Sequence, residues 1–289
     1  ISCEKVIDLD LEFEDQRIVI EAKINKKVNS NDGFAEVLIS ETSSYFDNEI
    51  KFIDDAEVSI TEVETGQSFD LKFDNNKYFL KIDKISLSSE YELNIFHNNN
   101  HYQSIEKINP STNIKSIERG TRESLDEDEI EIVTTIDDQF GYENYYLFEY
   151  SKGNLQPVSD EYFDGNTFSF SYFINKNKIE NNSLDVVLEG IDEEYFKYII
   201  QIVVQTNTQN GPFSAAPSSI KGNIYCVNNS ELKPFGYFKV SEYDSFRLEY
   251  IVLDYNFVKI YLFWFLMSFN KISEISSIYF NLLNKCVND

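Results

Sequence analysis

The chain has 289 residues, with 50 acidic against 25 basic side chains, a formal net charge of −25 at pH 7. That balance disfavours nucleic acid and anionic lipid as partners, since both are bound through Lys and Arg. Apolar content of 42% is enough for real cores and excludes global disorder, while 24 Phe and 19 Tyr favour strands over helices.

The chain opens Ile1-Ser2-Cys3-Glu4-Lys5. A cysteine behind one apolar and one small residue, ahead of a charged leader, is what a bacterial lipoprotein signal leaves once its apolar part is removed. Residues 1–16 are read as that leader, with Cys3 as the lipidated residue. The plainer alternative is an ordinary cysteine near a ragged terminus.

From Arg17 the pattern has period two. Ile18, Ile20, Ala22 and Ile24 share one face, and the alternation returns at Val58/Ile60, Phe69/Leu71/Phe73, Tyr78/Leu80/Ile82 and Tyr91/Leu93/Ile95. Between these lie polar turns such as Asp74-Asn75-Asn76 and His97-Asn98-Asn99-Asn100-His101. With only ten glycines, turns must lean on Asn, Asp and Ser. Short strands so spaced predict a β-sandwich of prealbumin or immunoglobulin type over 17–107.

Residues 108–129 hold a proline, a glycine and the start of an acidic run, and are read as a linker. Five of the six positions Asp126–Glu131 are carboxylates. They lack the spaced oxygens and turn glycine of an EF-hand loop, so no metal is assigned.

A second sandwich is predicted over 130–253. Phe140, Tyr142, Tyr146, Phe148 and Tyr150 fall on one face, as do Phe168, Phe170 and Tyr172. Such rows can form a carbohydrate-stacking platform, but core is their commoner use. One segment breaks the pattern: Ile191, Tyr195, Tyr198, Ile199 and Ile202 recur at helical spacing, with Asp192 as cap and Glu193 and Glu194 in the first turn. A helix over 191–206, packed on the second sheet, is expected. A polar loop runs on to Ser219, followed by strands at Ile224–Val227, Phe235–Val240 and Phe246–Val252. Residues 254–289, with the apolar run Lys259–Phe269, are read as a tail or as an interfacial helix. No stretch reaches the roughly 18 apolar residues of a spanning helix.

Catalytic residues do not stand out. The chain has two histidines, His97 and His101, flanking one turn. Their spacing could hold zinc only with a third ligand, and hairpin-end histidines are commoner. Cys3, Cys226 and Cys286 form neither a disulfide framework nor a metal-ligand spacing. The expectation is an all-β, non-enzymatic protein of two tandem immunoglobulin-like sandwiches, with no cofactor and no identifiable ligand site.

Several fragments in order carry a resemblance: Cys3-Glu4-Lys5-Val6-Ile7-Asp8, Arg17–Ala22, Ser40–Asp47, Ala56–Thr61, Phe163–Phe170, Gly211-Pro212-Phe213, Gly222-Asn223-Ile224 and Gly236-Tyr237-Phe238. Together they resemble the Bacteroidota outer-membrane lipoproteins classed as domain of unknown function 4249. The resemblance implies lipidation at Cys3, attachment to the outer membrane, and an accessory role in uptake beside a TonB-dependent receptor. It implies no known reaction. The alternative function is a structural or adhesive surface module. Asp55 stands where a turn glycine is usual, and residues 253–289 extend past the pattern.

Overall fold

The computed structural model describes residues 16–43, 50–179, 181–207 and 220–249. Cys3, the leader before Gln16, most of the 206–219 loop, Cys286 and the 254–289 tail lie outside them. The all-β expectation holds in its coarse form: the described residues form sixteen strands, one α-helix and one short 3-10 helix.

The first half comprises β1 (Ile18–Lys27), β2 (Gly33–Glu41), β3 (Glu57–Glu62), β4 (Gln67–Asp70), β5 (Lys72–Asp74), β6 (Lys77–Ile82), β7 (Glu90–His97) and β8 (Asn100–Asn109). The strands β5-β6-β2-β1 and β4-β3-β7-β8 pair in those orders. Their inward rows are those of the alternation: Ile20, Ile24, Ile39, Ile60, Leu93 and Ile95 are at most 1% exposed and share one core. The hairpins β5–β6 and β7–β8 turn on Asn75-Asn76 and Asn98-Asn99, all four with φ between 48° and 64°. Two-residue hairpins need that left-handed backbone, which Asn supplies where glycine is scarce.

The second half contributes β9 (Ile114–Arg119), β10 (Glu129–Asp137), β11 (Tyr145–Tyr150), β12 (Leu155–Ser159), β13 (Thr167–Asn175) and β14 (Leu184–Ile191). Its core is aromatic: Tyr146, Phe148, Tyr150, Phe163 and Phe170 pack with Ile132, Ile136 and Leu188. The stretch 108–129, read as a linker, carries strand β9, which pairs with β10 from Ile132↔Arg119 onward. Its short run of apolar positions, Ile114 and Ile117, is interleaved with charge and lies outside strict alternation, so composition pointed to a linker while pairing made a strand.

The final described strands depart most from expectation. Strand β15 (Tyr225–Cys226) pairs with β8 in the first half. Strand β16 (Phe235–Leu248) runs parallel to β1 from Val19↔Phe235 to Lys27↔Tyr243, then antiparallel to β14 from Glu189↔Tyr243 to Leu184↔Leu248. One strand thus closes sheets in both halves, and a continuous 13-stranded sheet passes through them. Local alternation identifies a strand here but not its neighbours, because the partners are distant in sequence, those in β1 by more than 200 residues. Gly236 starts the seam at φ +105°, and a Cβ there would stand 1.9 Å from the Ile20 carbonyl oxygen. Only glycine fits.

The helix α1 (Glu193–Asn207) begins where its cap predicts: the Tyr195 amide donates to Asp192 Oδ1 at 2.6 Å. Its apolar stripe packs on Leu147 and Ile191, with Tyr195 and Tyr198 against Tyr237 at ring distances of 4.8 and 5.0 Å. It therefore touches β11, β14 and β16 together. Among the described residues no helix is long and apolar enough to cross a membrane.

Candidate functional site

Three places gather functional side chains. The first is a cleft of about 790 Å³ at the start of β1, bordered by the β7–β8 turn and the segment leading into β16. Arg17, Glu41, His97, Asn98, Tyr102 and Lys233 contribute to its wall. His97 Nδ1 lies 3.2 Å from Asp55 Oδ1, and its Nε2 is 2.9 Å from Asn98 Nδ2. His101 Nε2 is 2.7 Å from Asn94 Oδ1, while its ring stacks on Phe96 at 4.3 Å. Each histidine is held by its own neighbours, and among the described residues neither belongs to a group of three metal-ligating side chains. Both histidines stand at the end of the β7–β8 hairpin.

The second place is the seam between the halves. Lys26 pairs with Glu242 at 2.6 Å, and Lys239 pairs with Glu189, which also accepts from Asn25 Nδ2 at 2.6 Å. All five side chains are buried. Burial alone would raise the Glu189 carboxyl, yet the Lys239 ammonium and the Asn25 amide hold it below the ordinary range. Beside this network Glu106 accepts from Asn223 Nδ2 at 2.6 Å. Burial pushes Glu106 up to about 7, against the Asn223 hydrogen bond and with help from Asp192 and Glu194.

The third place was not foreseen. The β10–β11 and β12–β13 loops carry Asp138, Asp160 and Asp164, each with a carboxylate oxygen within 4.8 Å of the others. They latch the loops: Asp138 accepts from Tyr146 Oη at 2.5 Å and the Gly165 amide at 2.8 Å. Asp160 accepts from the Asn144 amide at 2.8 Å, and Asp164 from the Gly141 amide at 2.9 Å. Burial first, then the charges of Asp138 and Asp164, raise the Asp160 carboxyl. The acids lie on two loops more than 20 residues apart, so no spacing rule joins them; the turn glycines Gly141 and Gly165, both at positive φ, are the one sequence cue.

By contrast, the acidic run Asp126–Glu131 does not converge. Glu131 is buried under Arg122 at 2.5 Å, and the Ser171 hydroxyl and Arg122 hold its carboxyl low. Glu129 accepts from Ser124 at 2.6 Å, and Asp126 accepts from the Asp128 amide at 2.9 Å. The run turns at Glu127-Asp128 and enters β10 at Glu129. The aromatic rows divide as well: Tyr146, Phe148 and Tyr150 are core, whereas Phe140 and Tyr142 are exposed. Cys226 is buried and free, its Sγ 3.2 Å from Asn228 Oδ1.

The family described as domain of unknown function (DUF4249) matches residues 4–247. No curated protein matches the chain. Among solved structures, a DUF4785 family protein from Legionella pneumophila subsp. pneumophila is similar over 63% of this chain, at 13% identity and a TM-score of 0.24. The match spans 54% of that protein's length.

Proposed function

The chain belongs to the DUF4249 family, and from that premise we propose that it is a lipid-anchored binding or accessory protein of the outer membrane, without catalysis, working beside a TonB-dependent receptor in uptake. The observation that carries this reading is Cys3, which directly precedes the family-matched span beginning at residue 4. An acylated cysteine with more than one chain buries many methylenes at roughly 0.8 kcal/mol each, so attachment is effectively permanent. A body of net charge −25 then needs no basic patch to stay at a membrane. In this reading each half is an immunoglobulin-like sandwich, and the fused sheet makes them one rigid platform for presenting loops.

Intact-mass measurement of the protein from its native membrane should find the acyl chains on Cys3, and Cys3→Ala should release the body from the membrane. Gentle detergent extraction should bring a barrel receptor with it. An unmodified Cys3 would remove the anchor; a lipidated protein that never co-purifies with a receptor would leave the adhesive or structural reading in its place.

A further inference from the structure

The two latched loops at the edge of the second half present three aromatic side chains outward: Phe140 is 80% exposed, Tyr142 71% and Tyr162 86%. Exposed aromatics normally retreat into a core, as Phe163 does next to Tyr162, stacking on Phe168 at 4.7 Å. These three are held out on a firm base. Asp138 and Asp164 tie the loops across one another, the Asp160 amide donates to the Asn144 carbonyl at 3.0 Å, and the Asp138 amide donates to the Asn166 carbonyl at 3.1 Å. A Cβ on Gly165 would meet Phe140 at 2.7 Å, so the second loop packs directly under that ring.

Charge surrounds the rings with one sign. Residues 137–144 and 159–166 contain six carboxylates, Asp137, Asp138, Glu143, Asp160, Glu161 and Asp164, and no Lys, Arg or His. Lys115, from outside the loops, pairs with Asp137 at 2.9 Å. Exposed aromatic rings on loops rich in carboxylates complement a planar cation, which stacks on a ring face while its N–H groups meet the acids. We propose that this loop tip is a docking surface for an arginine-bearing basic segment of a partner protein. Neutral sugars also stack on aromatic faces, but they leave the exposed acids Glu143, Glu161 and Asp164 without a counter-charge, whereas a guanidinium answers both features. Pre-latched loops lower the ordering cost of binding. The inference concerns residues 137–166 and stands apart from the lipid anchor and the uptake role.

The test uses the full chain and a fluorescent octa-arginine peptide, with octa-lysine and a neutral oligosaccharide as comparisons. The triple variant Phe140→Ser/Tyr142→Ser/Tyr162→Ser keeps every charge, so it separates docking from general attraction to an acidic protein. Its affinity for octa-arginine should fall by about tenfold or more, the loss expected for aromatic anchors, and the preference for arginine over lysine should shrink with it. Thermal unfolding is followed in parallel; if the triple variant unfolds early, Tyr162→Ser alone carries the same comparison. Unchanged arginine affinity in a folded variant would reduce the effect to net charge and overturn the proposal. Saturable oligosaccharide binding that disappears in the variant would overturn it in favour of a glycan site.

Discussion

The seam and the loop tip both carry carboxylates, and they handle them in opposite ways. At the seam each deeply buried acid has its own cation: Glu189 has Lys239, Glu242 has Lys26. At the tip Asp138, Asp160 and Asp164 are held by backbone amides and a phenol, with no ion-pair partner among the described residues. Hydrogen bonds from neutral donors fix geometry but leave the charge in place, whereas an ammonium cancels it. The seam is therefore built to bind the halves together, and the tip to hold a shape while keeping a negative field facing outward.

Removing one partner at the seam should have the largest effect. Lys239→Met leaves the Glu189 charge buried beside Asn25, and breaking such a pair costs about 3–5 kcal/mol. Urea unfolding should show the loss as a lower midpoint. Adding Glu189→Leu should restore much of it, since the uncompensated charge rather than the missing contact does the damage. A single variant within about 1 kcal/mol of wild type would place Glu189 in contact with water and undo the contrast with the tip.

Glu106 stands between the two cases, with a neutral amide for a partner and two acids nearby. Its folded value, about 7, lies above the ordinary 4.5, so the folded state holds its proton more tightly than the unfolded one. The stability this contributes is fully present below 4.5 and is lost as pH rises through about 7. Glu106→Gln keeps an acceptor for Asn223 and removes the charge. It should stabilise the protein by on the order of 1 kcal/mol at slightly alkaline pH, after discounting for solvent screening, and by nothing in acid. Equal effects at both ends of the pH range would show that the residue's shape, not its proton, matters.

What was legible in the sequence follows the range of each signal. The Asn-rich turns and the inward rows of β1, β3 and β7 depend on neighbours two residues apart, and they formed as expected. The helix was legible because Tyr195, Tyr198, Ile199 and Ile202 repeat within one element. The aromatic row starting at Phe140 was legible only in part: alternation runs through the turn glycine Gly141, so two exposed rings looked continuous with three buried ones. Strand β9 hid behind its charges. The double role of β16 and the convergence of Asp138 with Asp160 and Asp164 are long-range facts, set by which strands pair, and alternation is silent about them. Cys3 rests on the resemblance and lies outside the described residues.

The smallest expected effect sharpens the comparison from the other side. Asp160→Asn keeps an oxygen for the Asn144 amide and removes one of three neighbouring negative charges. Burial and the charges of Asp138 and Asp164 hold the Asp160 carboxyl above the ordinary 3.8. Its folded state therefore favours the proton, and the ionised form loses stability as pH rises through that raised value. Near neutral pH the amide should leave stability unchanged or raise it by under about 1 kcal/mol, and the gain should vanish in acid, where the wild-type carboxyl is protonated. Thermal unfolding across pH measures this directly. A clear loss of stability would mean that the negative charge itself holds the loops. The tip would then be a second lock rather than a shaped, outward-facing acidic surface.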